Sequence, residues 1–162
     1  MPGLREHTDI GTRTLLLVVH DDKFREILAE LLRDLAFEVI ELSDGIEALN
    51  YMATCDVYPD ALPWPDLIVA DMEMPSFGGL DLLEGIGESE PNPPVILISP
   101  TDDEDMRREA YRLGSWLVLE DCADPGVISE FIAELLSEDQ LPNIHWPSMA
   151  QMSHVHEPAL PG

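Results

Sequence analysis

Five short strand-like runs recur along the chain, and each is followed by helix signals. The runs span residues 14–19, 38–42, 67–71, 95–99 and 116–119. Most are continuously apolar, which is typical of strands buried on both faces of a sheet. The alternation of strand and helix signals, repeated five times between residues 14 and 138, predicts an α/β fold. In that fold a parallel sheet carries helices on both faces.

The helical segments are marked by the spacing of apolar residues. In the first segment, six residues repeat at i, i+3, i+4, i+7, i+8 and i+11: Phe24, Ile27, Leu28, Leu31, Leu32 and Leu35. This spacing predicts a helix that buries one face. The last helix has the same kind of apolar face, over residues 127–136.

Helix ends are marked by capping residues. Start signals lie at Asp44 with Glu47, at Thr101, which forms a predicted capping box with Glu104, and at Asp124 with Pro125, while Gly114 marks a helix end. Residues 55–65 contain three prolines and predict a long loop before the third strand.

The domain organisation follows from where these patterns stop. Residues 1–12 are polar without a period and predict a flexible N-terminal arm. Residues 13–138 hold all the strand and helix signals and predict one domain. Residues 139–162 contain four prolines and no period, so we expect a disordered tail.

The charge balance narrows the classes of partner. The chain has 33 acidic and 8 basic residues and a net charge of −25. Such a surface repels nucleic acid and anionic membranes and favours a monomer or weak dimer. Without a signal-peptide pattern or an apolar run of about 20 residues, the expected location is the cytoplasm. Cys55 and Cys122 have no metal-ligand spacing and are predicted to be reduced packing residues.

Candidate chemistry gathers where the predicted strands end. The carboxyl ends of parallel strands share one edge, where α/β sheets bind ligands. That edge should collect His20, Asp21, Asp22, Asp71, Ser99 and Glu120 or Asp121. Clustered carboxylates favour Mg²⁺, which binds through one or two carboxylates together with phosphate oxygens. A carboxylate beside Mg²⁺ can attack phosphorus, and this predicts a phospho-accepting Asp.

The stretch Asp66–Pro75, followed by Gly79-Leu80, resembles the phosphorylation motif of the receiver domains of two-component response regulators. The resemblance extends from Thr14 to Glu138. It implies a flavodoxin-like (βα)5 fold with strand order 2-1-3-4-5. It also implies that Asp71 accepts a phosphoryl group from a histidine-kinase phosphohistidine. The backbone carbonyl of Glu73 would be a metal ligand, and Ser99 would be the switch hydroxyl.

The chain departs from the family pattern after the first strand. When the first strand is aligned with that of the family, His20 occupies the first acidic position and Asp21 occupies the second, metal-ligating position. The following loop is then one residue short, so a pair formed by Asp21 and Asp22 is the alternative. Both acids are therefore candidate metal ligands.

The second departure follows the fifth strand. Asp121 stands where the family has a phosphoryl-binding Lys, and Cys122 stands at the Pro that follows it. No Lys or Arg occurs after Arg112. A site that should receive a dianion therefore lacks its usual cation.

Three function hypotheses follow. The first is an atypical single-domain response regulator, not an enzyme, phosphorylated at Asp71 with Mg²⁺ by a histidine kinase or phosphotransfer protein. The second is a pseudo-receiver that acts as a protein-interaction module without phosphorylation, as the missing Lys and His20 suggest. An aspartate-nucleophile phosphatase ranks last. Glu73 stands where its second Asp belongs, and the chain has no room for a cap insertion.

Overall fold

Five strands alternate with five helices, as the sequence predicts. The structure is a computed structural model that describes residues 13–87, 92–120 and 124–137. The elements are β1 (Arg13–Val18), α1 (Asp22–Asp34), β2 (Phe37–Leu42), α2 (Gly45–Val57), β3 (Leu67–Asp71), α3 (Gly79–Ile86), β4 (Val95–Ile98), α4 (Glu104–Arg112), β5 (Leu117–Leu119) and α5 (Pro125–Ser137). The predicted arm (1–12), the predicted tail (139–162), Asp121 and Cys122 lie outside the described residues.

The strands form one parallel sheet in the order β2-β1-β3-β4-β5. The register pairs Val18 with Ala70, Asp71 with Ile98, and Ile98 with Leu119. The ends of β1, β3, β4 and β5 are therefore level at one edge of the sheet. This arrangement confirms the flavodoxin-like fold and places Asp71 in the middle of that edge.

Successive residues of the inner strands contribute to opposite sides of the core. On one side, Leu15, Leu17 and Val69 pack with buried residues of α1 and α5. On the other side, Leu16 and Ile68 pack with α2, α3 and α4. Both faces of the sheet are covered, which explains why the inner strands are continuously apolar over residues 15–18, 67–70 and 95–98.

Three local predictions are corrected by the structure. Ile27 was expected on the buried face of α1, but its side chain is 42% exposed. The helix α2 extends to Val57, so Cys55 lies within a helix rather than in a loop. Cys55 is buried, as a packing residue should be.

The third correction concerns the start of α4. The N-cap is Asp103, whose carboxylate accepts the Asp105 and Met106 N–H groups, and not Thr101. Thr101 instead forms a turn with Ser99, because its N–H donates to Ser99 Oγ at 3.3 Å. The other predicted helix starts are confirmed, with Asp44 as N-cap of α2 and Pro125 as the first residue of α5.

Candidate functional site

Asp71 is the last residue of β3, at the level edge of the sheet. Its Oδ2 accepts the His20 N–H at 3.1 Å, so the residue after Val19 helps to hold the carboxylate. Burial raises the pKa of Asp71 from 3.8 to about 6, against the lowering effect of the His20 hydrogen bond. The negative charge of Asp21 contributes to the same rise in the pKa of Asp71, as the smallest of its causes. The side chain is therefore a desolvated carboxylate with another acid nearby.

Asp21 has two roles in the geometry. It is the N-cap of α1, and its Oδ1 accepts the Phe24 N–H at 2.8 Å. It also lines the same cavity as Asp71. The helix start thus fixes the position of one carboxylate beside the other.

Asp22 points to a different environment. Its side chain is 80% exposed and forms an ion pair with Arg25 at 2.7 Å. It is not among the residues that line the cavity with Asp21 and Asp71. The structure therefore brings together Asp21 and Asp71 and leaves Asp22 at the surface.

The cavity at this edge has a volume of about 590 Å³. Three charged residues line it: Asp21, Lys23 and Asp71. The rest of its wall is apolar and comes from α1, β4, the start of α5 and the loops that follow β1 and β4: Val19, Phe24, Ile27, Ile98, Pro100 and Pro125. The exposed position of Ile27 is explained here, since its side chain lines the cavity rather than the core.

The loop after Asp71 is closed by two glycines. The Gly79 N–H donates to the Met72 carbonyl at 3.0 Å, which brings the start of α3 back against the end of β3. A Cβ on Gly79 would lie 2.7 Å from the Asp71 carbonyl oxygen, and one on Gly78 would lie 2.7 Å from the Met72 carbonyl oxygen. No side chain fits there, so both glycines allow the close approach. Glu73 lies in this loop with an exposed side chain.

Ser99 follows β4 and is buried. Its hydroxyl donates to the Thr101 carbonyl at 2.9 Å, and its N–H donates to the Leu119 carbonyl at 2.8 Å. It is not among the residues that line the cavity. In this conformation the predicted switch hydroxyl is committed to its own turn, and reaching the cavity would require this bond to break.

An ion pair that the sequence does not predict lies at the end of β5. Arg107 of α4 reaches Glu120 at 2.8 Å and Asp102 at 3.3 Å. Glu120 is only 3% exposed. The hydrogen bond with Glu120 raises the pKa of Arg107 above its ordinary value. The sequence shows that Arg107 lies on a helix and that Glu120 follows the next strand. It does not show which acid the guanidinium contacts.

Lys23 was also missed as a site residue. It is the only lysine of the chain and lines the cavity two residues after Asp21. The family pattern directs attention to a cation after β5 and not to one in α1. The sequence did carry a signal for Lys23. It lies in the first turn of a predicted helix that begins next to Asp21, a predicted site residue.

The candidate metal ligands of the cavity are two carboxylates, those of Asp21 and Asp71. Across the described ranges, no group of three or more His, Cys, Asp and Glu side chains could hold a metal. Two carboxylates do line one cavity, and the charge of one raises the pKa of the other. Mg²⁺ commonly uses one or two carboxylates and keeps its waters, so Asp21 and Asp71 fit Mg²⁺ better than a metal that needs a full protein cage. No described helix is long and apolar enough to span a bilayer.

Comparison with known proteins identifies the same region. The family model described as "Response regulator receiver domain" matches residues 15–133. The Regulator of RpoS from Escherichia coli is 32% identical over 100 residues, which are 61% of this chain and 27% of that protein. A protein-glutamate methylesterase/protein-glutamine glutaminase from Pyrococcus horikoshii is 37% identical over 98 residues, 59% of this chain and 24% of that protein. The chain thus spans about a quarter of the length of these relatives.

Solved structures agree on the fold. The phosphorylated cyanobacterial phytochrome response regulator RcpA is 26% identical, with a TM-score of 0.66, and the match covers 85% of this chain and all of that one. The chemotaxis protein CheY4 of Vibrio cholerae is 19% identical with a TM-score of 0.62, covering 81% of this chain and 99% of that one. At 19% identity, the similarity to CheY4 shows the fold alone.

Proposed function

Because this chain belongs to the response regulator receiver domain family of two-component signalling, we propose that Asp71 accepts a phosphoryl group. The donor would be the phosphohistidine of a histidine kinase or phosphotransfer protein. The observation that carries the proposal is the desolvated Asp71 carboxylate at the end of β3, in one cavity with Asp21. The RcpA structure, 26% identical, is described as phosphorylated, and this also supports the proposal.

The two oxygens of Asp71 have different surroundings. Oδ2 accepts the His20 N–H, whereas no hydrogen bond to Oδ1 is formed within the described ranges. Oδ1 is therefore the oxygen free to attack phosphorus. The new O–P bond gives an acyl phosphate, and the P–N bond of the phosphohistidine breaks. The electron pair of that bond returns to the imidazole, which takes up a proton from solvent.

Burial assists this chemistry in one respect and limits it in another. A desolvated carboxylate has lost part of its water shell, which otherwise competes with the incoming phosphorus. The pKa of about 6 leaves Asp71 ionised at neutral pH and protonated in mild acid. The rate of the proposed reaction should therefore fall as the pH drops through about 6.

Mg²⁺ would be held by the carboxylates of Asp21 and Asp71 and by the backbone carbonyl of Glu73, with Asp22 in a lesser role at the surface. When bound, the ion supplies positive charge for the carboxylates and the phosphoryl oxygens. Ser99 would turn its hydroxyl toward the phosphoryl group after transfer, once its bond to Thr101 is broken. These assignments are proposals that rest on the family pattern and on the shared cavity.

The test is to incubate the protein with Mg²⁺ and acetyl phosphate and to record its intact mass. The wild type should gain one phosphoryl group, and Asp71→Asn should gain none. Glu73→Gln is the matched control, because it changes a neighbouring acid but keeps the backbone carbonyl. It should be labelled like the wild type.

A failure of the wild type to form an adduct, even at high Mg²⁺ concentration, would overturn the proposal. That result would favour the alternative, a pseudo-receiver that acts as a protein-interaction module without phosphorylation. Labelling that persists in Asp71→Asn would instead place the acceptor elsewhere.

A further inference from the structure

The basic side chains of the helices are nearly all committed to acids. On α1, Arg25 pairs with Asp22 and Arg33 with Glu41. On α4, the three arginines pair with acids of the same helix, of its preceding loop or of the β5 end: Arg107, Arg108 and Arg112. Lys23 is the exception, since within the described part of the chain its ammonium has no ion pair or hydrogen bond. Among the described residues it is therefore a helix cation without an acidic partner, in a chain of net charge −25.

The location of this free cation is specific. Of the described residues that line the 590 Å³ cavity, Lys23 alone is basic, and it shares the wall with Asp21 and Asp71. The chain offers no Lys or Arg after Arg112, so β5 and α5 contribute no positive charge to this edge. The flexible four-carbon stem of a lysine allows its ammonium to follow a charge that develops inside the cavity.

Helix stability does not explain why a lysine stands here. Lys23 lies in the first turn of α1, directly after the Asp21 N-cap and Asp22. A cation in the first turn is opposed by the helix dipole, which favours negative charge at this end. The position is instead suited to a ligand that brings negative charge to the cavity.

We propose that the Lys23 ammonium supplies the positive charge that pairs with the phosphoryl group on Asp71. It approaches from the β1–α1 side and replaces the lysine that this chain lacks after β5. This inference rests on the proposed function. Phosphorylation converts a single negative charge at Asp71 into a dianionic group beside Asp21, and the free ammonium offsets the added charge.

The experiment compares the rate of labelling by acetyl phosphate, at fixed Mg²⁺ and ionic strength, in four proteins. These are the wild type, Lys23→Gln, Lys23→Arg and Arg108→Gln. Lys23→Gln should slow labelling roughly tenfold or more, because one donor of positive charge to the transferring group is removed. Lys23→Arg keeps the charge and should recover most of the rate.

Arg108→Gln is the charge-matched control. It removes one positive charge from an exposed position on α4 that does not line the cavity. Its labelling rate should stay within about twofold of the wild type, since distant surface charges are screened by salt. The thermal unfolding midpoint of Lys23→Gln should not fall below that of the wild type, because the side chain is exposed, makes no ion pair among the described residues and is opposed by the helix dipole.

The outcomes separate this inference from the proposed function. If Lys23→Gln is labelled at the same rate as the wild type, only the role of Lys23 is overturned. Equal slowing in Lys23→Gln and Arg108→Gln, or equal slowing in Lys23→Gln and Lys23→Arg, also overturns it. If the wild type is not labelled, the proposed function itself fails. The inference is supported if labelling is slow in Lys23→Gln but close to the wild-type rate in Lys23→Arg and in Arg108→Gln.

Discussion

The Asp71 carboxyl group carries a cost to folding, because burial at the end of β3 raises its pKa from 3.8 to about 6. Between these two pH values the folded chain keeps a proton on Asp71 that the unfolded chain releases. The contribution of Asp71 to stability therefore falls as the pH rises from about 4 to about 6, and the full cost remains above that range. A shift of this size corresponds to about 3 kcal/mol at most.

Asp71→Asn should therefore stabilise the protein above pH 6. Asparagine keeps an oxygen that can accept the His20 N–H but carries no charge to desolvate. We expect the free energy of unfolding at pH 7.5, without divalent cations, to rise by about 1–3 kcal/mol. Urea unfolding at pH 4 and at pH 7.5 checks this, since the gain over wild type should nearly vanish at pH 4. A variant that is less stable than wild type at pH 7.5 would contradict the predicted cost.

At the scale of elements, the junction between β3 and α3 depends on a backbone contact that only glycine permits. A Cβ at Gly79 would meet the Asp71 carbonyl oxygen at 2.7 Å and the Leu97 side chain at 2.6 Å. Gly79→Ala should therefore move the end of β3 or the start of α3. We expect a loss of about 1–3 kcal/mol in the free energy of unfolding and slower labelling of Asp71.

Gly85→Ala on the same helix is the matched control. Its Cβ would meet the end of the Leu49 side chain at 2.6 Å, which can move, and alanine favours the helix over glycine. Its unfolding free energy should stay within about 1 kcal/mol of the wild type. Equal losses in the two variants, measured by chemical denaturation, would show that the contact with the Asp71 carbonyl is unimportant.

The ion pair between α4 and the end of β5 gives another contrast between neighbouring residues. Arg107→Met leaves the buried Glu120 carboxylate without its guanidinium partner, and this should cost about 3–5 kcal/mol. Arg108→Met breaks an exposed pair with Glu104 and should cost less than about 1 kcal/mol. Thermal or urea unfolding of the two variants measures the difference. Similar losses would mean that burial of Glu120 does not set the strength of the pair.

The same elements show what a sequence can predict and what it cannot. Strands such as Leu67–Asp71 and the start of α2 at Asp44 are encoded locally, by apolar runs and capping spacing, and the structure confirms them. The Asp71 position at the sheet edge follows from these elements and from parallel topology. Local pattern also misled at α4, where Thr101 and Asp103 both suit an N-cap and the turn with Ser99 decides between them.

Other parts of the site depend on contacts across the fold. The partner of Arg107 is an acid 13 residues away, chosen by how α4 packs on β5. The exposure of Ile27 and the position of Lys23 depend on the cavity between α1 and the strand ends. A helical pattern places these residues on a helix, but it does not show that one side of that helix borders a cavity.

At the scale of the whole molecule, the excess of acids is a property of the entire chain. With 33 acidic and 8 basic residues, most carboxylates have no basic partner in the sequence to pair with. Compaction brings these like charges closer together, so self-repulsion lowers the stability of the folded state. Salt screens that repulsion, since the Debye length falls from about 30 Å at 0.01 M to about 3 Å at 1 M ionic strength.

Raising the NaCl concentration from low to moderate should therefore stabilise the protein. We expect the thermal unfolding midpoint at pH 7.5 to rise by about 5 °C or more. This rise corresponds to about a few kcal/mol in the free energy of unfolding, summed over many weak repulsions. Choline chloride should act equally, because screening depends on ionic strength and not on a bound cation. A rise seen with Mg²⁺ at matched ionic strength, and lost in Asp71→Asn, would be a separate contribution from the site. A midpoint that falls or stays constant with salt would mean that favourable ion pairs, such as the one between Arg107 and Glu120, outweigh the net repulsion.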